Sequence, residues 1–400
     1  MTLLLIIRRS LRQHLLSTVL TAFSIALAGG LLMSVWAVKE QSRATFTQVN
    51  AGFDAVLGAR GSKLQLVLNA IFHLEASPGN VSVADYEYIK RHPAVKLAIP
   101  IAVGDNLRGY RIVGTVPELF TEVEYAPGKK FTLASGQPFD PAAKEAVIGS
   151  FAASKLGLKV GDIFHPFHGL VYDERNQHAE TYHVTGVLAP SNTPADKVVW
   201  IPLHGLQTMS GHDPRAATDV SAVLIQLRSP AAGFMLDLMY NKQGNRLTFA
   251  YPVGAIMADL FSKIGWFDQV LALVAYLVAF VSAVGVLVAI YNSMAARRRD
   301  IAILRSLGAH RRTICGAVVL EAAAIGAIGM TFAFGGYGII VTIVAAIIRA
   351  QTGVLLDPWT YNRVMLWAPA GMIGLCALSG LVPAWKAYRT DVAGNLAPDS

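Results

Sequence analysis

The chain is short of charge and almost free of cysteine. Charged residues make up 15% of its 400 positions, and only two cysteines occur, Cys315 and Cys376. Both fall in apolar runs, so no disulfide framework holds the rest of the chain together. Sequence signatures for catalysis are missing too. There is no G-x-x-x-x-G-K-[ST] loop to cradle a nucleotide phosphate, no G-x-S-x-G and no H-E-x-x-H. The chain is not expected to be an enzyme. Internal repeats and low-complexity segments are also lacking.

What is abundant is apolar sequence. Hydrophobic residues make up 54% of the chain, and the mean hydropathy is +0.45. A bilayer-spanning helix needs about 20 mostly apolar residues. Four stretches meet this: residues 17–38, 267–294, 313–348 and 364–387. The first could also be read as a signal peptide. Its apolar core is too long for that, no A-x-A site follows, and it is expected to stay as an anchor.

The net charge of +8 is unevenly spread. Arg8, Arg9 and Arg12 precede the first span with no acid among residues 1–16. The stretch AARRRDIAILRSLGAHRRTICG, residues 295–316, carries six arginines against Asp300 alone. Residues 38–265 are nearly neutral, with 21 basic and 20 acidic side chains. By the positive-inside rule, both termini and the 295–312 loop are cytoplasmic, and residues 39–264 are exported. No extended basic face for nucleic acid is visible.

Residues 1–16 are expected to form a short interfacial amphipathic helix, and 17–38 the first span. Residues 39–264 form an exported α+β domain, with a β-rich subdomain inserted at about 116–214. Residues 265–400 form the remaining membrane domain, with a cytoplasmic loop at 295–312. The fold class is an α-helical integral membrane protein with four transmembrane helices and a large α+β extracytoplasmic domain between helices 1 and 2. Within that domain, SVADYEYIKRH reads as a helix capped by Ser82 and stopped by Pro93. The greasy stretch 57–80 reads either as a buried helix or as an exposed apolar surface.

The arginine-rich loop itself has helical character. Ile301, Leu304 and Leu307 share one face, the arginines occupy others, and Gly308 is a natural stop. A bare topology anchor would not need the apolar stripe. Glu321 is an acid inside the third span, which makes it either a functional group or a structural pairing partner. Ala322, Gly326 and Gly329 form a small-residue face for close helix packing. Gly335, Gly336 and Gly338 are expected to break or bend the outer end of that span.

Eight of ten histidines fall in the exported section, four of them within HPFHGLVYDERNQHAETYH. His165, His168, His178 and His183 could serve as ligands for zinc. Their spacing matches no zinc motif, so ordinary surface histidines are the plainer reading.

These residues carry a resemblance. Arg297, Asp300, Ile301, Leu304, Arg305, Gly308 and Ala309 follow an R-x-x-E-I-x-x-L-R-x-x-G-A pattern, with aspartate for the usual glutamate. Pro383, Ala384, Ala387, Asp391 and Leu396 follow a P-A-x-x-A-x-x-x-D-x-x-x-x-L close. In both patterns, and in the layout of one span, a large domain and three spans, the chain resembles the permeases of MacB/FtsX-type (type VII) ABC transporters.

The resemblance implies a bacterial inner-membrane permease paired with a second permease chain, identical or related. A cytoplasmic ABC ATPase dimer would bind the ATP and Mg²⁺. The docking residues would be Ile301, Leu304 and Leu307, flanked by Arg297, Arg298, Arg299, Asp300, Arg305 and Gly308. The substrate would be amphipathic: a lipoprotein, a peptide, a drug or metal-related cargo. The alternative is a non-transporting subunit that controls a periplasmic cell-wall hydrolase or sensor. An adaptor, lipoprotein or hydrolase partner outside the membrane would separate the two.

Overall fold

The computed structural model describes residues 3–48, 50–212, 217–296 and 309–388. The chain divides into two compact units. The first comprises residues 1–41, 264–345 and 357–400; the second comprises 42–263 and 346–356.

The helices are α1 (Leu3–Gln13), α2 (Leu15–Gln48), α3 (Lys63–Ala70), α4 (Val83–Lys90), α5 (Glu118–Thr121) and α6 (Ser150–Leu156). They continue with α7 (Leu203–Gln207), α8 (Pro230–Leu238), α9 (Val253–Lys263), α10 (Gly265–Ala296), α11 (Arg311–Thr352) and α12 (Val364–Tyr388). Four of them, α2, α10, α11 and α12, are long and apolar enough to cross a membrane. Their most apolar stretches have mean hydropathies of 2.0, 2.7, 2.1 and 1.7.

In the first unit the four long helices bury small and branched residues against one another. Ile25, Ala28, Met33, Ala322, Ala333 and Cys376 lie in this core. Outward-facing side chains are just as apolar: Phe23, Leu27, Phe280 and Phe332 are all more than half exposed. Apolar residues on every side are what a helix surrounded by hydrocarbon needs. Polar contacts gather near the helix ends. Lys39 lies 3.6 Å from Asp268 and 5.4 Å from the centre of the Trp36 ring. Trp36 meets Trp367 edge-on, and Asn362 donates to Glu40.

The 42 residues of α11 would extend about 63 Å at 1.5 Å each. The helix runs without interruption through Gly335, Gly336 and Gly338, so of the break or bend expected there, the break is absent. In an apolar surround the backbone has no water to turn to, and the cheapest way to satisfy N–H and C=O groups is to keep the helix. The residue between these glycines, Tyr337, is 1% exposed and donates through its hydroxyl to the Pro358 carbonyl.

The second unit is built on one large mixed sheet. Its strands are β1 (Ala55–Ala59), β2 (Val81–Ser82), β3 (Val95–Leu107), β4 (Tyr110–Thr115), β5 (Glu124–Ala126), β6 (Lys129–Lys130), β7 (Leu133–Gly136) and β8 (Glu145–Ile148). Then come β9 (Ile163–Phe164), β10 (Phe167–His168), β11 (Tyr182–Leu188), β12 (Val199–Pro202), β13 (Asp219–Val220), β14 (Ala222–Leu227) and β15 (Leu247–Ala250). The order across the sheet is β15-β1-β14-β3-β4-β12-β8-β11-β7, with β10 added beside β3 and β9 beside β11. The pairs β4/β12 and β8/β11 are parallel.

Most apolar residues of the 57–80 stretch are buried, while Leu74 is exposed. Ser62 caps α3 by accepting from the Gln65 N–H, and Leu66, Val67 and Ala70 are fully enclosed. Ser82 caps α4 in the same way, accepting from the Asp85 N–H. Residues 346–356 pack onto this unit as well. The Lys197 ammonium donates to the Gln351 carbonyl at 2.6 Å, and the Leu355 N–H donates to Asn192 at 2.6 Å.

Candidate functional site

The expected docking residues Arg297, Arg298, Arg299, Asp300, Ile301, Leu304, Arg305, Leu307 and Gly308 lie outside the described residues. α10 ends before them at Ala296, and α11 begins after them at Arg311.

Glu321 falls in α11 and accepts a hydrogen bond from the Ser10 hydroxyl of α1. Ser10 is buried, while Arg8, Arg9 and Arg12 of the same short helix are exposed. The serine and the acid thus tie the amphipathic α1 to the third span, a polar clasp at a partly buried spot. Ala322, Gly326 and Gly329 follow along α11. A side chain at Gly326 would meet the Cys376 Cβ at 3.1 Å, and one at Gly329 the Ile25 Cβ at 2.6 Å and the Ala22 carbonyl at 2.9 Å. Ala322 is fully buried, with its Cβ 2.9 Å from where a side chain at Gly380 would start. The small face therefore lets α11 approach both α2 and α12.

The histidines divide. His168 and His178 come together; His165 and His183 stand apart from them. His165 Nδ1 lies 3.1 Å from the Glu180 carbonyl, and His183 points outward from β11. Two residues that the sequence pattern did not single out complete the group, Asp105 and His212. One ligand-type atom from each of Asp105, His168, His178 and His212 lies within 4.8 Å of all the others. Asp105 is at the centre. Its Oδ1 is 3.4 Å from His168 Nδ1, 3.3 Å from His178 Nε2 and 3.1 Å from His212 Nε2.

Local structure explains the convergence. A bulge in β3 between Val103 and Asp105 shifts the register against β4, and such an extra residue re-aims the side chains beside it. Asp105 is thereby fully buried. β10 pairs with β3 so that His168 stands opposite Asp105. The neighbouring Asn106 clamps this pairing by donating to the Phe167 and Gly169 carbonyls. His178 is anchored by its backbone N–H on the Pro166 carbonyl. His212 sits in the turn after α7, with Nδ1 3.0 Å from the Leu206 carbonyl. The Glu180 carboxylate accepts from the Ser210 N–H and hydroxyl, which joins the His178 segment to that turn. Hydrogen bonding to Asp105 raises the His212 imidazole above its ordinary pKa.

Asp105 lies 60 residues before the nearest histidine of the dense stretch, and His212 lies 29 beyond its end. Nothing local marks either. The pairing of β10 onto β3 brings in Asp105, and the turn after α7 brings in His212.

Comparisons with known proteins agree with this architecture. Residues 272–392 match the FtsX-like permease C-terminal family. Residues 18–233, more than half the chain, match the MacB-like periplasmic core domain. A search of curated proteins found no significant match. Among solved structures, the chain is similar to the extracellular domain of the noncanonic ABC-type transporter YknZ from Gram-positive bacteria, at 18% identity and a TM-score of 0.30. That match covers 48% of this chain and 97% of the other. It is also similar to the periplasmic region of MacB from Actinobacillus actinomycetemcomitans, at 10% identity and a TM-score of 0.35, covering 54% and 93%. With four membrane-length helices, a MacB-like core after the first and an FtsX-like region over the last three, the chain belongs to the MacB/FtsX-like family of ABC transporter permeases.

Proposed function

We propose that this chain is the permease subunit of a complex in which a separate ABC ATPase dimer hydrolyses ATP. Motion at the 295–312 loop is passed to the MacB-like domain, which exports or extracts an amphipathic substrate. The observation that carries this reading is the FtsX-like match, whose residues 272–392 include the arginine-rich loop. The chain has no phosphate-binding loop of its own, so the hydrolysis belongs to a partner. The charge distribution supports cytoplasmic termini and an exported 39–264 domain: Arg8, Arg9 and Arg12 lie on the exposed face of α1, and six arginines flank the second and third spans.

In this reading Ile301, Leu304 and Leu307 seat the loop on the ATPase, and Glu321 with Ser10 holds α1 against the third span. Leu304→Asp places a charge in that apolar contact. The expected outcome in a reconstituted complex is loss of permease-stimulated ATP hydrolysis by at least about tenfold, the effect of losing about 1.4 kcal/mol of coupling. The MacB-like domain should keep its fold, as read by its unfolding temperature. Undiminished stimulation would remove the docking role of this loop.

A further inference from the structure

We propose that Asp105, His168, His178 and His212 bind one exchangeable divalent transition-metal ion of the zinc class. The inference does not depend on the transport reading.

Zinc bonds to imidazole nitrogen and carboxylate oxygen are about 2.0–2.2 Å, so neighbouring ligands of a tetrahedral ion stand about 3.3–3.5 Å apart. Asp105 Oδ1 is 3.1–3.4 Å from all three imidazole nitrogens. The three rings surround it evenly, with centroids 5.4, 5.1 and 5.3 Å apart. Small side-chain adjustments would close the nitrogens around an ion.

Electrostatics point the same way. Three nitrogens crowd a single carboxylate oxygen that offers about two lone-pair directions. The other oxygen, Oδ2, is buried without a hydrogen-bond partner among the described residues. An enclosed carboxylate in that condition is costly unless a cation compensates it. His212 Nδ1 faces a backbone carbonyl, the Leu206 oxygen, which turns Nε2 onto Asp105 Oδ1, 3.1 Å away. A backbone carbonyl holding the far nitrogen is also the usual support for a metal-ligating histidine.

The donor set is three nitrogens and one oxygen, with no sulfur. It suits zinc, and by the same chemistry cobalt, nickel or copper, better than calcium or magnesium. The site is also reachable. The His168 side chain is 53% exposed. It and His212 line a cleft of about 310 Å³ beside Gly104 and Ser221. An ion could therefore enter and leave without unfolding the sheet. The alternative is a hydrogen-bonded cluster that holds no ion.

The test uses the full chain, purified in detergent with a tag free of histidine, stripped with a chelator and titrated with zinc and with cobalt. One zinc per chain should bind at micromolar concentration or below. Cobalt should give the intense visible absorption of a four-coordinate site. His168→Ala, at an exposed position, and Asp105→Asn should each weaken zinc binding by about 100-fold or more, beyond the loss typical for outer-sphere partners. His165→Ala and His183→Ala should bind as the unaltered chain does. Absence of zinc binding by the unaltered chain at micromolar metal would overturn the proposal. So would binding that survives His168→Ala, or that falls equally in His165→Ala.

Discussion

His73 holds its ring edge-on to Trp200, with centroids 5.7 Å apart, and its Nδ1 is buried without a hydrogen-bond partner among the described residues. Burial, helped by the nearby Arg111 and Lys197 charges, lowers its pKa from 6.5 to about 3. The folded chain therefore keeps this imidazole neutral where the unfolded chain protonates it. The stability this provides is complete above pH 6.5 and is lost as the pH falls toward 3, at up to about 1.4 kcal/mol per pH unit. Thermal unfolding with a chelator present, compared at pH 7.5 and 4.5, should show a smaller acid loss in His73→Phe than in the unaltered chain. An equal loss in both would mean that other groups carry the acid sensitivity. Within the dense histidine stretch, His168 and His178 are legible as ligand types because imidazole is rare and clustered there. Asp105 is one carboxylate among many, and its role comes from a bulge that no residue near it announces.

At the scale of elements, hydrophobic length was the most readable signal. The spans expected at 17–38, 267–294, 313–348 and 364–387 fall inside α2, α10, α11 and α12. The helices run past those limits, most of all at the end of α2. Polar residues such as Lys39 and Glu40 end a hydropathy run but do not end a helix whose N–H groups still have partners. The glycines of α11 do not break it for a related reason: away from water, helix hydrogen bonds outweigh the weak helix propensity of glycine. Where α11 meets α2, glycine is instead a matter of room. A Cβ at Gly329 would stand 2.6 Å from the Ile25 Cβ and 2.9 Å from the Ala22 carbonyl, and neither can move without shifting a helix. Gly329→Val should destabilise the detergent-solubilised bundle by about 1–3 kcal/mol, the usual cost of overpacking. Gly371→Val, where nothing lies within 4 Å, should cost much less. Equal unfolding temperatures for the two variants would show that α11 and α2 do not pack at this distance.

For the whole molecule, the segregation of charge and apolar length was enough to separate a membrane unit from a folded domain. The order of the sheet was not legible. β1 lies between β14 and β15, more than 160 residues away in the chain, and β3 pairs with β14 across more than 110 residues. Alternation along a strand tells which face is buried; it does not name the neighbour. The family match supplies what the two units have in common with known permeases, and the central claim that follows is a partnership. It is tested most directly by purifying the tagged chain from native membranes in mild detergent and identifying the co-purifying proteins by mass spectrometry. An ABC ATPase is expected in stoichiometric amount, beside an adaptor or lipoprotein if the complex transports and a cell-wall hydrolase if it signals. A clean preparation with no ATPase at any detergent strength would contradict it and leave the arginine-rich loop as a topology anchor.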